Sequence, residues 1–191
     1  MPHLRVALLG CGNVGRALLA MVAEKANDLR DERNVTLTFT GGLTRSAGGW
    51  IAPAGVDAPA LLASGWPNGP APTGAQPFAG DGVAFARECP ADVLVELTAL
   101  NPLTGQPATD HIRAALESGK CAVTANKGPI AHAYRELRDL AAAHGHHLRF
   151  ESTVMDGTPI FGMVEACLPV TRIASLRGPL NSTSNYILSR M

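Results

Sequence analysis

Short apolar runs alternate with longer stretches of helical periodicity through most of this chain. Leu4 to Leu9 is almost wholly apolar, as a strand covered on both faces would be. After "GCGNVG", Val14, Leu18, Leu19 and Val22 recur at helical spacing. Val35 to Thr40 is a second strand, rich in β-branched residues. Asp92 to Leu97 ("DVLVEL") and Cys121 to Thr124 ("CAVT") are further buried strands. "TDHIRAALESGK" predicts a helix capped by Thr109 and stopped by Gly119. "GPIAHAYRELRDLAAAHG" predicts another, with Pro129 in its first turn and Tyr134, Leu137, Leu140 and Ala141 on one face. Gly145 ends it, and "HLRFEST" returns to a strand. Strands alternating with helices predict an α/β fold built on a doubly wound parallel sheet over residues 1–151.

Two stretches break the rhythm. Residues 46–82 hold most of the prolines and many glycines, so they read as a long, mostly irregular excursion with one short helix around "PALLASG". Trp50 and Trp66 fall in it and read as its anchors. Residues 152–191 read as the start of a second, α+β domain. There "PIFGMVEACL" is helical, Thr171 to Gly178 alternates like a strand, and "SNYILSRM" opens a helix.

Composition narrows the function. Hydrophobic residues make up 46% and charged residues 17%, which is globular. A formal net charge of zero argues against nucleic acid held by bulk electrostatics. No apolar run approaches a membrane span, and the N-terminus runs straight into a strand pattern. Cys11, Cys89, Cys121 and Cys167 share no C-x-x-C spacing and read as reduced thiols of a cytoplasmic protein. His144, His146 and His147 flank a helix end without a matching acid or cysteine cluster, so they read as a solvated group and not a metal site.

The candidate chemistry starts at Gly10-x-Gly12-x-x-Gly15, between the first strand and the first helix. That context makes it a Rossmann-type dinucleotide loop. The first glycine permits the turn, the second lets backbone approach a pyrophosphate, and the third lets the helix pack close to the sheet. Asn13 and Val14 lie inside the loop. The second strand ends without the acid that would hold ribose hydroxyls; Arg45 and Ser46 stand there instead. A guanidinium at that place pairs with a 2′-phosphate, so NADP(H) is favoured over NAD(H). At the end of a later strand, "TANK" presents Lys127 where open α/β sheets bind their ligands.

The pieces "GCGNVG", "VLVELT", "AALESGKCAVTANKGPI", "FESTVMDGTPI" and "GPLNSTSNYIL" occur in one order from Val6 to Met191. In that order the sequence resembles homoserine dehydrogenase, the NAD(P)-dependent enzyme that interconverts L-homoserine and L-aspartate 4-semialdehyde in threonine and methionine biosynthesis. The resemblance implies that Lys127 lies beside nicotinamide and substrate and takes part in catalysis, with Thr98 near the cofactor. An amine there can polarise or orient the aldehyde or alcohol oxygen. It implies that Glu151, Val154, Asp156 and Thr158 hold a monovalent cation such as sodium through oxygens. The residue-level alternative for Glu151 is a structural hydrogen-bonding carboxylate. It also implies that Thr183 touches the amino-acid substrate, although Ser182 replaces a glycine usual in the family. The family's pattern continues beyond this sequence with an acidic segment and a second catalytic lysine, and the full-length enzyme is expected as a homodimer. The expectation is a fragment or truncated homologue that binds the dinucleotide but turns over poorly by itself. A non-catalytic dinucleotide-binding protein is the alternative. A thioester-forming semialdehyde dehydrogenase would need a cysteine with a histidine base, which none of the four cysteines offers.

Overall fold

Strand β1 (His3–Leu9) shows why a sheet forms here and why both its faces are covered. Its side chains alternate. Val6 and Leu8 enter one core cluster with Leu19 and Val22 of α1 (Asn13–Glu24) and Ala58 and Leu61 of α3 (Ala58–Ser64). Ala7 and Leu9 enter another with Phe85 and Ala86 of α4 (Gly82–Glu88) and Ala114 and Ala115 of α5 (Ala108–Glu117). The near-continuous apolar run of β1 therefore buries on two sides, as a central parallel strand must. A third cluster joins α5 to Ala122 and to Leu137 and Ala141 of α6 (Lys127–Ala143).

The computed structural model describes residues 1–155, 157–175, 177–178 and 182–191. The chain divides into two units, Met1–Arg149 and Phe150–Met191. In the first, seven strands among the described residues run in the order β4-β3-β2-β1-β5-β6-β7. They are β2 (Thr36–Thr44), β3 (Gly48–Val56), β4 (Gln76–Phe78), β5 (Val93–Glu96), β6 (Cys121–Thr124) and β7 (Leu148–Arg149), around β1. From β2 to β7 every pairing is parallel. Strand order reverses between β1 and β5, so the ligand crevice expected of such a sheet lies outside their carboxyl ends.

The expected excursion over residues 46–82 is corrected. The helix is where the pattern put it, as α3, capped by the Asp57 carboxylate that accepts the Ala60 N–H (2.7 Å) and closed by left-handed Gly65. On either side of it, β3 pairs antiparallel to β2 and β4 pairs antiparallel to β3, which extends the sheet. Their glycines and prolines hide the strand pattern, but Trp50 and Ala52 are buried. Strand β2 also runs past Thr40 through Gly41 and Gly42. A Cβ at Gly41 would lie 2.5 Å from Cys89 Sγ, and one at Gly42 would lie 2.7 Å from the Trp66 ring. Those two residues look like a turn in the sequence. In the fold they are the part of a strand over which bulky neighbours close. Trp50 and Trp66 meet edge to face, with ring centroids 5.8 Å apart, and do anchor the segment.

Three smaller expectations also change. Helix α5 starts at Ala108, and Thr109 is not its cap; the Thr109 hydroxyl donates back to the Gly105 carbonyl (3.0 Å). "HLRFEST" forms only the two-residue strand β7, followed by a single 3₁₀ turn, Glu151–Thr153. Thr171 to Gly178 carries no strand among its described residues. Alternation alone does not hold a strand without a partner to complete its backbone hydrogen bonds, and Ile173 remains exposed. The second unit contains α7 (Ile160–Cys167) and α8 (Ser182–Arg190). Among the described residues, no helix is long and apolar enough to cross a membrane.

Candidate functional site

The turn after β1 is pinned from both sides. The Gly10 N–H donates to the Leu43 carbonyl of β2 (2.8 Å), and the Leu97 N–H donates to the Leu9 carbonyl (2.7 Å). Gly10 has φ +91°, and a Cβ on it would lie 2.5 Å from the Leu97 carbonyl oxygen. Both the backbone conformation and the neighbouring strand end demand glycine. Gly10→Ala should therefore destabilise the first unit by roughly 3–5 kcal/mol, a strained conformation plus a backbone clash. Urea unfolding of wild type and variant measures it, and a loss below about 1 kcal/mol would contradict the tight fit.

Gly12 is the opposite case. Nothing lies within 4 Å of where its Cβ would be. It precedes α1 and offers no side-chain cap, so the N–H groups of the first turn face open space. Asn13 is turned to its own helix, its Oδ1 accepting from Arg16 Nη2 (2.8 Å). Val14 is exposed and lines the cleft described below. At Gly15 a Cβ would come within 3.2 Å of Cys11 Sγ and 3.3 Å of the Gly10 carbonyl oxygen. The third glycine thus lets the helix sit on its own loop, where close approach to the sheet was expected. Burial pushes the Cys11 thiol above its ordinary range, which suits a packing residue and not a nucleophile.

An open cleft lies at the carboxyl ends of β5 and β6, lined by Val14, Leu97, Thr98, Leu100, Ala125, Asn126 and Lys127. The first turn of α1, through Val14, and the "TANK" segment therefore meet at one place. Asn126 builds much of that place. Its Oδ1 accepts the Gly128 N–H (3.1 Å) as the cap of α6, and its Nδ2 donates to the Thr98 carbonyl (3.2 Å). Gly128 in turn packs against the loop after β5, where a Cβ would be 2.8 Å from the Gly105 Cα. Lys127 opens α6 at the mouth of the cleft with its side chain exposed, so the amine is held by a rigid helix start while its own atoms stay free to meet a ligand.

Behind the cleft wall stands a group that the sequence did not single out. Glu96 ends β5 and is fully buried. Its Oε1 accepts the Thr98 N–H (2.9 Å) and the Thr98 hydroxyl, and its Oε2 accepts the Thr124 hydroxyl (3.0 Å). Thr124 Oγ1 also accepts the Asn126 N–H (2.9 Å). One carboxylate thereby ties the end of β5 to the end of β6. Arg45 and Ser46 lie outside the cleft lining. They occupy the exposed β2–β3 turn, two and three residues beyond the Leu43 carbonyl that anchors Gly10.

The second unit answers for the remaining site residues. Both oxygens of Glu151 accept N–H groups from the first turn of α7, Phe161 (2.8 Å) and Gly162 (2.9 Å). The Thr158 carbonyl accepts the Ile160 N–H (2.8 Å). Val154 follows the 3₁₀ turn. Asp156 lies outside the described residues. Glu151 thus makes structural hydrogen bonds within the second unit. Thr183 lies in the first turn of α8, with its side chain outside the described residues.

The family model for "Homoserine dehydrogenase, NAD binding domain" matches residues 10–151, from the first glycine of the loop to Glu151. The chain belongs to the homoserine dehydrogenase family. A relative from Pseudomonas canavaninivorans, named an NAD(+)-dependent homoserine dehydrogenase, is 36% identical over all of this chain and 54% of its own length. The crystal structure of a putative homoserine dehydrogenase from Archaeoglobus fulgidus superimposes with a TM-score of 0.78 at 26% identity, over 98% of this chain and 54% of that one. A hyperthermophilic archaeal homoserine dehydrogenase in complex with NADPH gives 0.69 at 27% identity, over 85% of this chain and 48% of that one. The chain spans about half the length of these relatives.

Glu96 had one sequence signal: an acid closing an otherwise apolar strand, "VLVE". The thioester alternative gains nothing from the fold. Burial pushes Cys89 up to about 11, which disfavours a nucleophilic thiolate. No group of three or more potential metal ligands occurs among the described residues.

Proposed function

We propose that this chain binds NADP(H) and supplies the dinucleotide half of the site that interconverts L-homoserine and L-aspartate 4-semialdehyde. One observation carries the reading: in a member of this family, the glycine loop and Lys127 converge on a single cleft at the point where strand order reverses. The open space at Gly12 and the uncapped start of α1 fit a pyrophosphate, and the cleft beside Leu97 and Thr98 fits a nicotinamide ring. A nicotinamide coenzyme there would accept or return the hydride. The chain's own contribution is positional. Asn126 and Gly128 fix the start of α6, so that Lys127 can donate a hydrogen bond to the substrate oxygen and stabilise charge as it develops. Apolar Val14, Leu97 and Leu100 shield the ring from water.

The coenzyme preference rests on Arg45. Exposed at the end of β2 in a turn that carries no acid, it is placed to pair with a 2′-phosphate. The relatives point both ways, one named NAD(+)-dependent and one holding NADPH. Wild type should bind NADPH roughly tenfold more tightly than NADH, and Arg45→Ala should erase that margin, about one charge-assisted hydrogen bond. Fluorescence titration of both coenzymes reads it; equal wild-type affinities would remove Arg45 from the site.

Residues 150–191 read as the start of a substrate and dimerisation domain. The support is the exposed apolar side chains of α7 and α8, among them Met163, Val164, Tyr186, Ile187 and Leu188. The test of the whole proposal is NADPH binding followed by homoserine oxidation. A chain that binds the coenzyme, but whose longest native reading frame never oxidises homoserine, would be a binding protein and not an enzyme.

A further inference from the structure

Most polar wall groups of the cleft have a clear local task. Asn126 caps a helix, and the Thr98 carbonyl accepts from it. Glu96 exceeds its task. Two neutral acceptors would hold Thr98 and Thr124 equally well, yet the position carries a carboxylate, fully buried in the sheet. Oε1 is approached by a backbone N–H and a hydroxyl and Oε2 by a second hydroxyl, an arrangement that supplies donors to a carboxylate. The described residues place no lysine or arginine against it. Its one titratable neighbour is His111 of α5, buried, with Nδ1 at 4.0 Å from Glu96 Oε1 and no hydrogen-bond partner of its own. Ionised, Glu96 puts a full negative charge one hydrogen bond behind Thr98, in the wall of the cleft, in a medium that screens it poorly.

We infer that Glu96 sets the redox-state preference of the site, favouring the oxidised, cationic nicotinamide ring over the reduced, neutral one. This rests on the proposed placement of the ring in the cleft. The two coenzyme forms share their phosphates, ribose and adenine, so the rest of the site acts on both alike. The ring charge is what differs, and a buried anion behind Thr98 acts on that difference directly. By thermodynamic linkage, whatever tightens the oxidised form relative to the reduced form also draws the bound equilibrium towards the oxidised coenzyme. Glu96 acts through the electric field and touches neither the substrate nor the ring, so it is a positioning and tuning residue.

The test compares wild type, E96Q and E96D at pH 8, above the ordinary imidazole range. NADPH binding is read by its own fluorescence and NADP+ by displacement of NADPH, with thermal melts alongside. Glutamine keeps an acceptor for Thr98 and a donor for Thr124 but removes the charge. E96Q should shift the ratio of NADP+ to NADPH affinity towards NADPH by roughly ten- to a hundredfold, the size expected of one charge about 6–12 Å away at an effective dielectric near 20. E96D keeps the charge and should keep the wild-type ratio, even where both affinities fall through looser packing. A folded E96Q with an unchanged ratio overturns the inference, and so does an E96D that shifts the ratio as far as E96Q. If E96Q does not fold, the wild-type titration decides: the charge predicts NADP+ bound at least as tightly as NADPH, and tighter NADPH overturns it. If wild type binds neither coenzyme, the failure belongs to the dinucleotide reading and not to Glu96.

Discussion

Gly12→Val should give a folded chain that no longer binds NADPH. Nothing lies within 4 Å of a Cβ built at Gly12, so an added side chain starts in open space and the fold should lose little. The same space is where a pyrophosphate must approach the backbone to reach the N–H groups of α1. A branched side chain there holds the phosphates off by more than a hydrogen-bond length. Affinity should fall by roughly a hundredfold or more, the equivalent of about 3 kcal/mol or above. Fluorescence titration and a thermal melt on the same sample separate binding from stability. Gly10→Ala supplies the contrast, since it should lose stability first. If folded Gly12→Val binds NADPH as wild type does, the dinucleotide lies elsewhere.

Lys127→Ala should do the reverse, leaving coenzyme affinity within about twofold while turnover collapses. Lys127 opens α6 at the cleft with its side chain exposed and serves the substrate oxygen in the proposed site. Removing a group that hydrogen-bonds the reacting oxygen costs roughly 10²- to 10⁴-fold in rate. The measurement is homoserine oxidation by the longest native reading frame that contains this sequence, with kcat and KM resolved separately. A fall confined to KM would make Lys127 a binding group only. The 191-residue chain, which spans about half the length of its relatives, is assayed beside it and is expected to turn over poorly. Robust turnover by the short chain would show that Lys127 suffices.

The parts legible in the sequence are those whose signal is local. The run Leu4 to Leu9, the three glycines and the helical spacing after them are one contiguous pattern, and each element stands where that pattern put it. The position of Lys127 at a strand end was equally local, because Gly128 and Pro129 mark the helix start in the chain itself. What stayed hidden depends on partners distant in sequence. Gly41 and Gly42 look like punctuation until Cys89 and Trp66 are seen pressing on them. Strand β3 is invisible without β2 beside it, since glycine and proline carry no apolar alternation. In the sequence Glu96 is one polar residue inside an apolar strand; only the return of β6 alongside, with the Thr124 hydroxyl donating to it, gives the carboxylate a function. For Glu151 the sequence offered cation binding and a structural bond as alternatives, and the first-turn N–H groups of α7 settle its described partners.

The antiparallel edge has a consequence for how the protein behaves in a crowded solution. An open sheet edge is a template on which another chain can lay down a strand and begin to aggregate. Here that edge is β4, only Gln76, Pro77 and Phe78, with the proline opposite Trp50 at its centre. A proline has no N–H to offer an incoming strand, and so short an element gives little length to pair with. The proline-rich stretch that obscured this part of the sheet in the sequence thus ends it in a form that resists being extended by a stranger.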